Sequence, residues 1–176
     1  ITLGLSEWSP GPSEPNLASV IYGTHMGTFA NHGVDFFSPW SWFTGMWETL
    51  HLYSRYSKDY SVSSTSSNEN MVSAYTTVNE AADSMTVIVV NRNMNAAHNV
   101  TVNLNGFSVN NGNYQTLQLS ALPAHETFES HTDNALKTGT ATVISNSLTI
   151  SVPSLSTTAI LLGGSGAPIT GIEESL

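Results

Sequence analysis

The chain has 176 residues, 40% hydrophobic and only 10% charged, against about 25% charged in an average soluble domain. Thirteen acids against four cations give a net charge of −9, which argues against a nucleic-acid partner or an anionic membrane surface. The absence of cysteine excludes disulfides, thiolate zinc sites and a cysteine nucleophile, and no apolar run approaches the roughly 20 residues of a membrane helix.

The chain opens on Ile1-Thr2-Leu3-Gly4-Leu5, which reads as a short buried strand. Trp8-Ser9-Pro10-Gly11-Pro12-Ser13 follows as a loop. Ser13 is the expected N-cap of a helix over Pro15–Ala30, with Leu17, Val20, Ile21, Met26 and Phe29 at helical spacing. Asn31-His32-Gly33 stops it, Gly33 being the expected left-handed residue. Val34–Phe37 is the next strand, ending at Ser38-Pro39-Trp40, and a short helix lies around Met46–Arg55.

Strand, helix and strand with short connections make a βαβ unit with parallel strands. A parallel sheet needs both faces covered, which two strands alone do not provide. Residues 1–58 are therefore expected to be the end of a larger (β/α)₈ barrel, a fold of about 250 residues. The chain begins without methionine on this apolar stretch, so a piece of a longer protein is expected.

Residues 59–162 change character to Ser, Thr, Asn and Val with alternation of period two. Val72, Ala74 and Val78 form one such run, and Val100, Val102 and Leu104 another. Leu117 with Leu119, then Leu148, Ile150 and Val152, continue the pattern, and Ala159 to Leu162 close it. Met85–Val90 is apolar on both sides and predicts a central strand. Turn clusters such as Asn105-Gly106 and Ser145-Asn146 separate these runs. The fold class expected is mainly β: an antiparallel β-sandwich preceded by a partial (β/α) barrel segment. Residues 163–176 (GGSGAPITGIEESL) read as a linker.

Glu7 follows the first strand at its carboxyl end, where α/β sheets and barrels build their sites. Trp8 is beside it, and Trp40 and Trp42 follow the neighbouring strand at its own carboxyl end. Indole faces stack on sugar rings, and a carboxylate beside them is what glycosidic cleavage uses. The plainer reading makes Glu7 a solvated loop residue and the tryptophans core, and the two readings stay open on these residues alone. The second acid of such a mechanism has two candidates nearby. Glu14 sits at a helix start, which accounts for it, and Glu48 lies in the short helix. Neither ends a strand, so the partner acid is expected outside this chain.

The histidines (His25, His32, His51, His98, His125, His131) lack metal spacing, and Asp83 and Asp133 lack an EF-hand pattern. No phosphate loop and no G-x-S-x-G is present. No metal and no cofactor is expected. Asn99-Val100-Thr101 matches a glycosylation pattern but falls inside an expected strand.

LSEWS (Leu5–Ser9), the helix, GVDFFSPWSW (Gly33–Trp42) and LHLYSRYSK (Leu50–Lys58) resemble, in this order, the end of a glycoside hydrolase of family 44. MTVIVVN (Met85–Asn91) and LNGF (Leu104–Phe107) continue the likeness. That family contains endoglucanases and xyloglucanases that join a (β/α)₈ barrel to a β-sandwich. The resemblance implies that Glu7 is the nucleophile at the end of the seventh strand. It makes Val34–Phe37 the eighth strand, puts Trp40 in the substrate cleft, and has Tyr53 and Tyr56 lead into the sandwich. Trp8 stands where the family usually has tyrosine, and Ser9 replaces its usual asparagine or similar residue. The acid/base residue, on the fourth strand, is not covered. The ending ITGIEESL is similar to the junction before C-terminal sorting domains of secreted Bacteroidetes proteins, which implies export to the surface or medium.

The expected parent is thus a retaining glycoside hydrolase acting on a plant-type β-1,4-glucan, with Glu7 as nucleophile and Trp8, Trp40 and Trp42 holding sugars. The fragment alone is expected to be inactive and to self-associate through exposed Leu3, Leu5, Phe36 and Phe37. A carbohydrate-binding sandwich without catalysis is the alternative, and a purely structural sandwich the plainest role for the second region.

Overall fold

The computed structural model describes residues 3–129 and 135–169. The expectations for Ile1, His131, Asp133 and all but the first residue of ITGIEESL lie outside the described residues.

β1 (Gly4–Trp8) and β2 (Phe36–Pro39) pair in parallel around α1 (Pro15–Asn31). Both strands run past their expected ends, β1 to Trp8 and β2 to Pro39, and Asp35 joins the two segments below them. Its backbone N–H donates to the Leu3 carbonyl at 2.8 Å, and its carboxylate accepts from the Leu3 N–H at 2.7 Å. Glu14, not Ser13, caps α1: its carboxylate accepts from the Leu17 N–H at 2.8 Å and from the Asn16 amide at 2.9 Å. Pro15 then occupies the first turn, where its missing N–H costs nothing. Gly33 takes φ 67 and turns the chain out of the helix, as expected.

α2 (Met46–Tyr56) runs beside α1. Behind both lies a six-stranded antiparallel sheet in the order β3-β4-β5-β11-β8-β9. Its strands are β3 (Tyr60–Val62), β4 (Val72–Val78), β5 (Ser84–Asn91), β8 (Gly112–Leu119), β9 (Lys137–Val143) and β11 (Ser156–Gly163). β6 (His98–Asn103) pairs with β10 (Ser147–Val152) as a second small sheet. β7 (Phe107–Ser108) pairs with β12 (Ser165–Gly166). The architecture is mainly β: an antiparallel sandwich carrying one parallel βαβ unit.

β5 is central, as its two-sided apolar run predicts. Met85, Val87 and Val89 enter the core between the sheets, while Ile88 and Val90 meet Val20, Leu52 and Tyr53 from the helices. Asn91, fully buried at its end, donates to the carbonyls of Ala96, Val152 and Pro153 and accepts from the Asn93 N–H. A buried amide satisfied on both ends fixes the crossing from β10 to β11. Ser145 and Asn146 both take positive φ between Ile144 and Ser147, the geometry of a tight hairpin turn. That turn carries the chain from the large sheet to the small one. The small sheet covers only part of the inner face, and the rest opens as a groove of about 950 Å³.

Residues 163–166, expected as linker, differ from that expectation. Gly164 N–H donates to the Asp83 carbonyl and Gly166 N–H to that of Ala82, and β12 forms against β7. A side chain at Gly164 would meet the Ser108 carbonyl at 2.3 Å, so glycine here permits close packing rather than flexibility.

α1 is apolar almost all round because it is covered on both sides. Val20 and Met26 reach the sheet behind, while Ala18 and Tyr22 reach the β1–β2 side. Gly23 and Gly27 let it approach. Tyr53 donates its hydroxyl to the Gly23 carbonyl at 2.8 Å, and burial pushes that phenol well above its ordinary pKa. A Cβ at Gly27 would lie 2.2 Å from the Tyr75 ring, which is buried and held through its hydroxyl by Thr28 at 3.2 Å. Gly27→Ala should therefore destabilise the protein by about 1–3 kcal/mol, overpacking outweighing the gain in helix propensity of about 1 kcal/mol. Urea unfolding measures this; a variant as stable as the parent would contradict the close helix–sheet contact.

Candidate active site

Glu7 and Trp40 stand at the carboxyl edge of the β1–β2 pair, and the register of that pair decides how the neighbouring side chains face. Leu5 stands opposite Phe37 and Trp8 opposite Pro39. β1 takes three steps where β2 takes two, so β1 carries one extra residue, a bulge. Side chains alternate along a strand. In regular pairing Trp8 would face away from Phe37. The extra residue returns it to the same side, and the two rings meet edge to face at 6.0 Å.

Glu7 lies inside this bulge with φ 57. A left-handed glutamate costs about 1–2 kcal/mol against an ordinary conformation, so the surrounding structure must impose it. Glu7 is left exposed at the strand's carboxyl edge. The two strand ends are joined beyond it: Trp40 N–H donates to the Trp8 carbonyl at 2.6 Å.

The indoles part company. Trp8 is half-buried in a cage of aromatic rings. Tyr22 stacks on it at 5.5 Å, and His25, Phe29 and Phe37 meet it edge to face. Burial pushes the Tyr22 phenol up to about 12 and holds the His25 imidazole below its ordinary value. Trp40 is 70% exposed, the most open tryptophan of the edge. Trp42 stacks on Trp47 at 4.1 Å with planes 16° apart, and its edge meets Tyr22. Leu3, Leu5 and Phe36 are exposed, as expected. Phe37 is not: it packs with Trp8, Tyr22 and Phe29.

Neither local acid is available as a partner to Glu7. Glu14 is spent on the α1 cap. Burial works to raise its pKa, but the hydrogen bonds from Leu17 and Asn16 outweigh it and hold the carboxyl below its ordinary value. Glu48 is buried and accepts from the Gly45 N–H at 2.6 Å, capping α2. Among the described residues no three metal-ligating side chains come together.

The cage residues Tyr22 and His25 and the stacking partner Trp47 are absent from the sequence-based site. Tyr22, His25 and Phe29 recur at helical spacing, one stripe of α1, and that was the signal for a second covered face. Trp47 had no such signal, since it meets Trp42 across a loop.

No protein-family model and no curated protein matches this sequence. Solved structures do resemble the fold. CelM2, a bifunctional glucanase-xylanase from a metagenome library, superposes with a TM-score of 0.79 at 21% identity, over 93% of this chain and 31% of its own. A Paenibacillus polymyxa xyloglucanase from glycoside hydrolase family 44 gives 0.77 at 19% identity, over 92% and 32%. A family 44 endoglucanase from Clostridium acetobutylium ATCC 824 gives 0.75 at 22% identity, over 92% and 32%. The chain thus spans about a third of the length of these structures.

The bulge makes a prediction that reverses an ordinary rule. Glycine normally destabilises a strand relative to alanine, but at a left-handed residue it relieves strain. Glu7→Gly should be more stable than Glu7→Ala by about 1 kcal/mol in urea unfolding. Alanine equal to or better than glycine would mean that residue 7 is not held left-handed.

Proposed function

We propose that this chain is the C-terminal part of an exported, retaining glycoside hydrolase acting on β-1,4-glucans such as cellulose or xyloglucan. Residues 1–58 would end its catalytic barrel, and the sandwich from residue 59 would be a structural support. The observation that carries this reading is Glu7: an exposed carboxylate on a strained bulge, at the carboxyl end of a parallel strand, joined through Trp8 to the exposed indole of Trp40. The fold likeness to glucanase and xyloglucanase structures supports it.

In this reading a Glu7 oxygen attacks the anomeric carbon as the bond to the leaving oxygen breaks. An acid from outside this chain gives that oxygen its proton. Water, deprotonated by the same group, then displaces Glu7 and returns the carboxylate. Trp40 offers an open face for a sugar ring, and Trp42 stacked on Trp47 a braced indole pair. With only one of the two catalytic carboxylates, residues 1–176 alone would not hydrolyse glucan.

The binding-module alternative finds little support in the sandwich. Tyr60 and Tyr114 pack partly into the core, Tyr75 and Phe107 are buried, and Phe128 lies outside the described strands. Among the described residues the open groove is lined by aliphatic, Ser, Thr and Asn side chains with Met85 and His98, and its one phenyl ring, Phe107, is buried.

Glu7→Gln in the full-length protein should lower glucan hydrolysis by at least about a thousandfold with the melting temperature kept. Near-normal hydrolysis in that variant would remove Glu7 as nucleophile and this reading with it.

A further inference from the structure

Resting on the reading of Glu7 as nucleophile, we infer that Trp8 is a positioning residue that aims Glu7, and not a platform that holds sugar. Among the described residues no side-chain hydrogen bond fixes the Glu7 carboxylate, and Glu7 is exposed. Its direction is therefore set by its backbone, and that backbone sits in a conformation it would not choose. Something adjacent must hold it there.

Trp8 is the adjacent residue and is held in two ways. Its ring is gripped from α1 by Tyr22, His25 and Phe29 and from β2 by Phe37, with centroids 4.8 to 6.5 Å away. Its carbonyl accepts from Trp40 N–H. Ring and backbone together fix which side of β1 residue 8 occupies. The chain between Leu5 and Trp8 must then take up one residue too many, and Glu7 takes the left-handed turn.

If the ring is removed, nothing in the cage opposes a slide of β1 into regular pairing. That slide sends residue 7 to the other face. The same cage leaves the Trp8 ring poorly placed to stack on a ligand, since Tyr22 already stacks on it.

The two roles separate kinetically. A sugar platform acts in the ground state, so its loss raises KM. A misaimed nucleophile loses transition-state geometry, so kcat falls. In the full-length protein, assayed on a soluble β-glucan, Trp8→Ala should lower kcat by about a hundredfold with KM within about twofold. Trp8→Phe, which keeps a ring in the cage, should recover most of that kcat.

A raised KM with kcat held, or no change in either, overturns the inference. Where Trp8→Ala does not fold, Trp8→Leu, which keeps bulk but removes the ring, is assayed in its place. A partial loss of kcat at constant KM supports positioning, and a raised KM at constant kcat overturns it. The Glu7→Gln variant assayed alongside separates the two failures. Activity kept in Glu7→Gln overturns the nucleophile reading and this inference together. Activity lost there, with only KM moved in the Trp8 variants, overturns this inference alone.

Discussion

One extra residue in β1 decides which way the edge of the parallel pair faces. Strand side chains alternate, so a single insertion inverts everything beyond it. Here it returns Trp8 to the side of Phe37 and leaves Glu7 exposed at φ 57. The cost of that backbone is offset by burying the indole among four aromatic neighbours, each such pair contributing about 0.5–1.5 kcal/mol beyond its area. Strain at the functional candidate and packing behind it are two sides of one arrangement.

The rest of the molecule makes that arrangement stiff. The cage stands on α1, and α1 is clamped from behind. Gly23 and Gly27 bring it close to Tyr53 and Tyr75, which belong to α2 and to β4. Arg92, at the end of β5, donates to Thr24 of α1 and to Ser73 of β4. Apolar contact between the helices and the large sheet runs through Val20, Leu52, Ile88 and Val90. The sandwich is thus mechanically continuous with the edge that carries Glu7, although composition divides the chain near residue 58. The supporting role proposed for the sandwich is consistent with this packing.

Much of this was legible in residues. The helix showed in its spacing, its end in Gly33, the parallel pair in strand–helix–strand order, and the central strand in its two-sided apolar run. The turn at Ser145-Asn146 showed in its residue types. Other parts gave weak signals. β9 is an edge strand of alternating Thr whose inner face, after Lys137, holds only small or short side chains, Gly139, Ala141 and Val143, so its apolar pattern is faint. β12 is built of glycine and serine, and its reason for pairing is the close approach to Ser108 and Phe107, a tertiary fact. The site divided the same way. Glu7 and the exposed Trp40 could be placed at a strand end from order alone. The inward turn of Trp8 could not, because a bulge leaves no mark in composition or period. Only the pairing register reveals it.

The most direct measurement is a covalent label. The full-length protein treated with a 2-deoxy-2-fluoro β-cellobioside bearing an activated leaving group should accumulate the glycosyl-enzyme, because the fluorine slows its hydrolysis. Peptide mapping by mass spectrometry should then find the sugar on Glu7. A label on any other carboxylate would contradict the account.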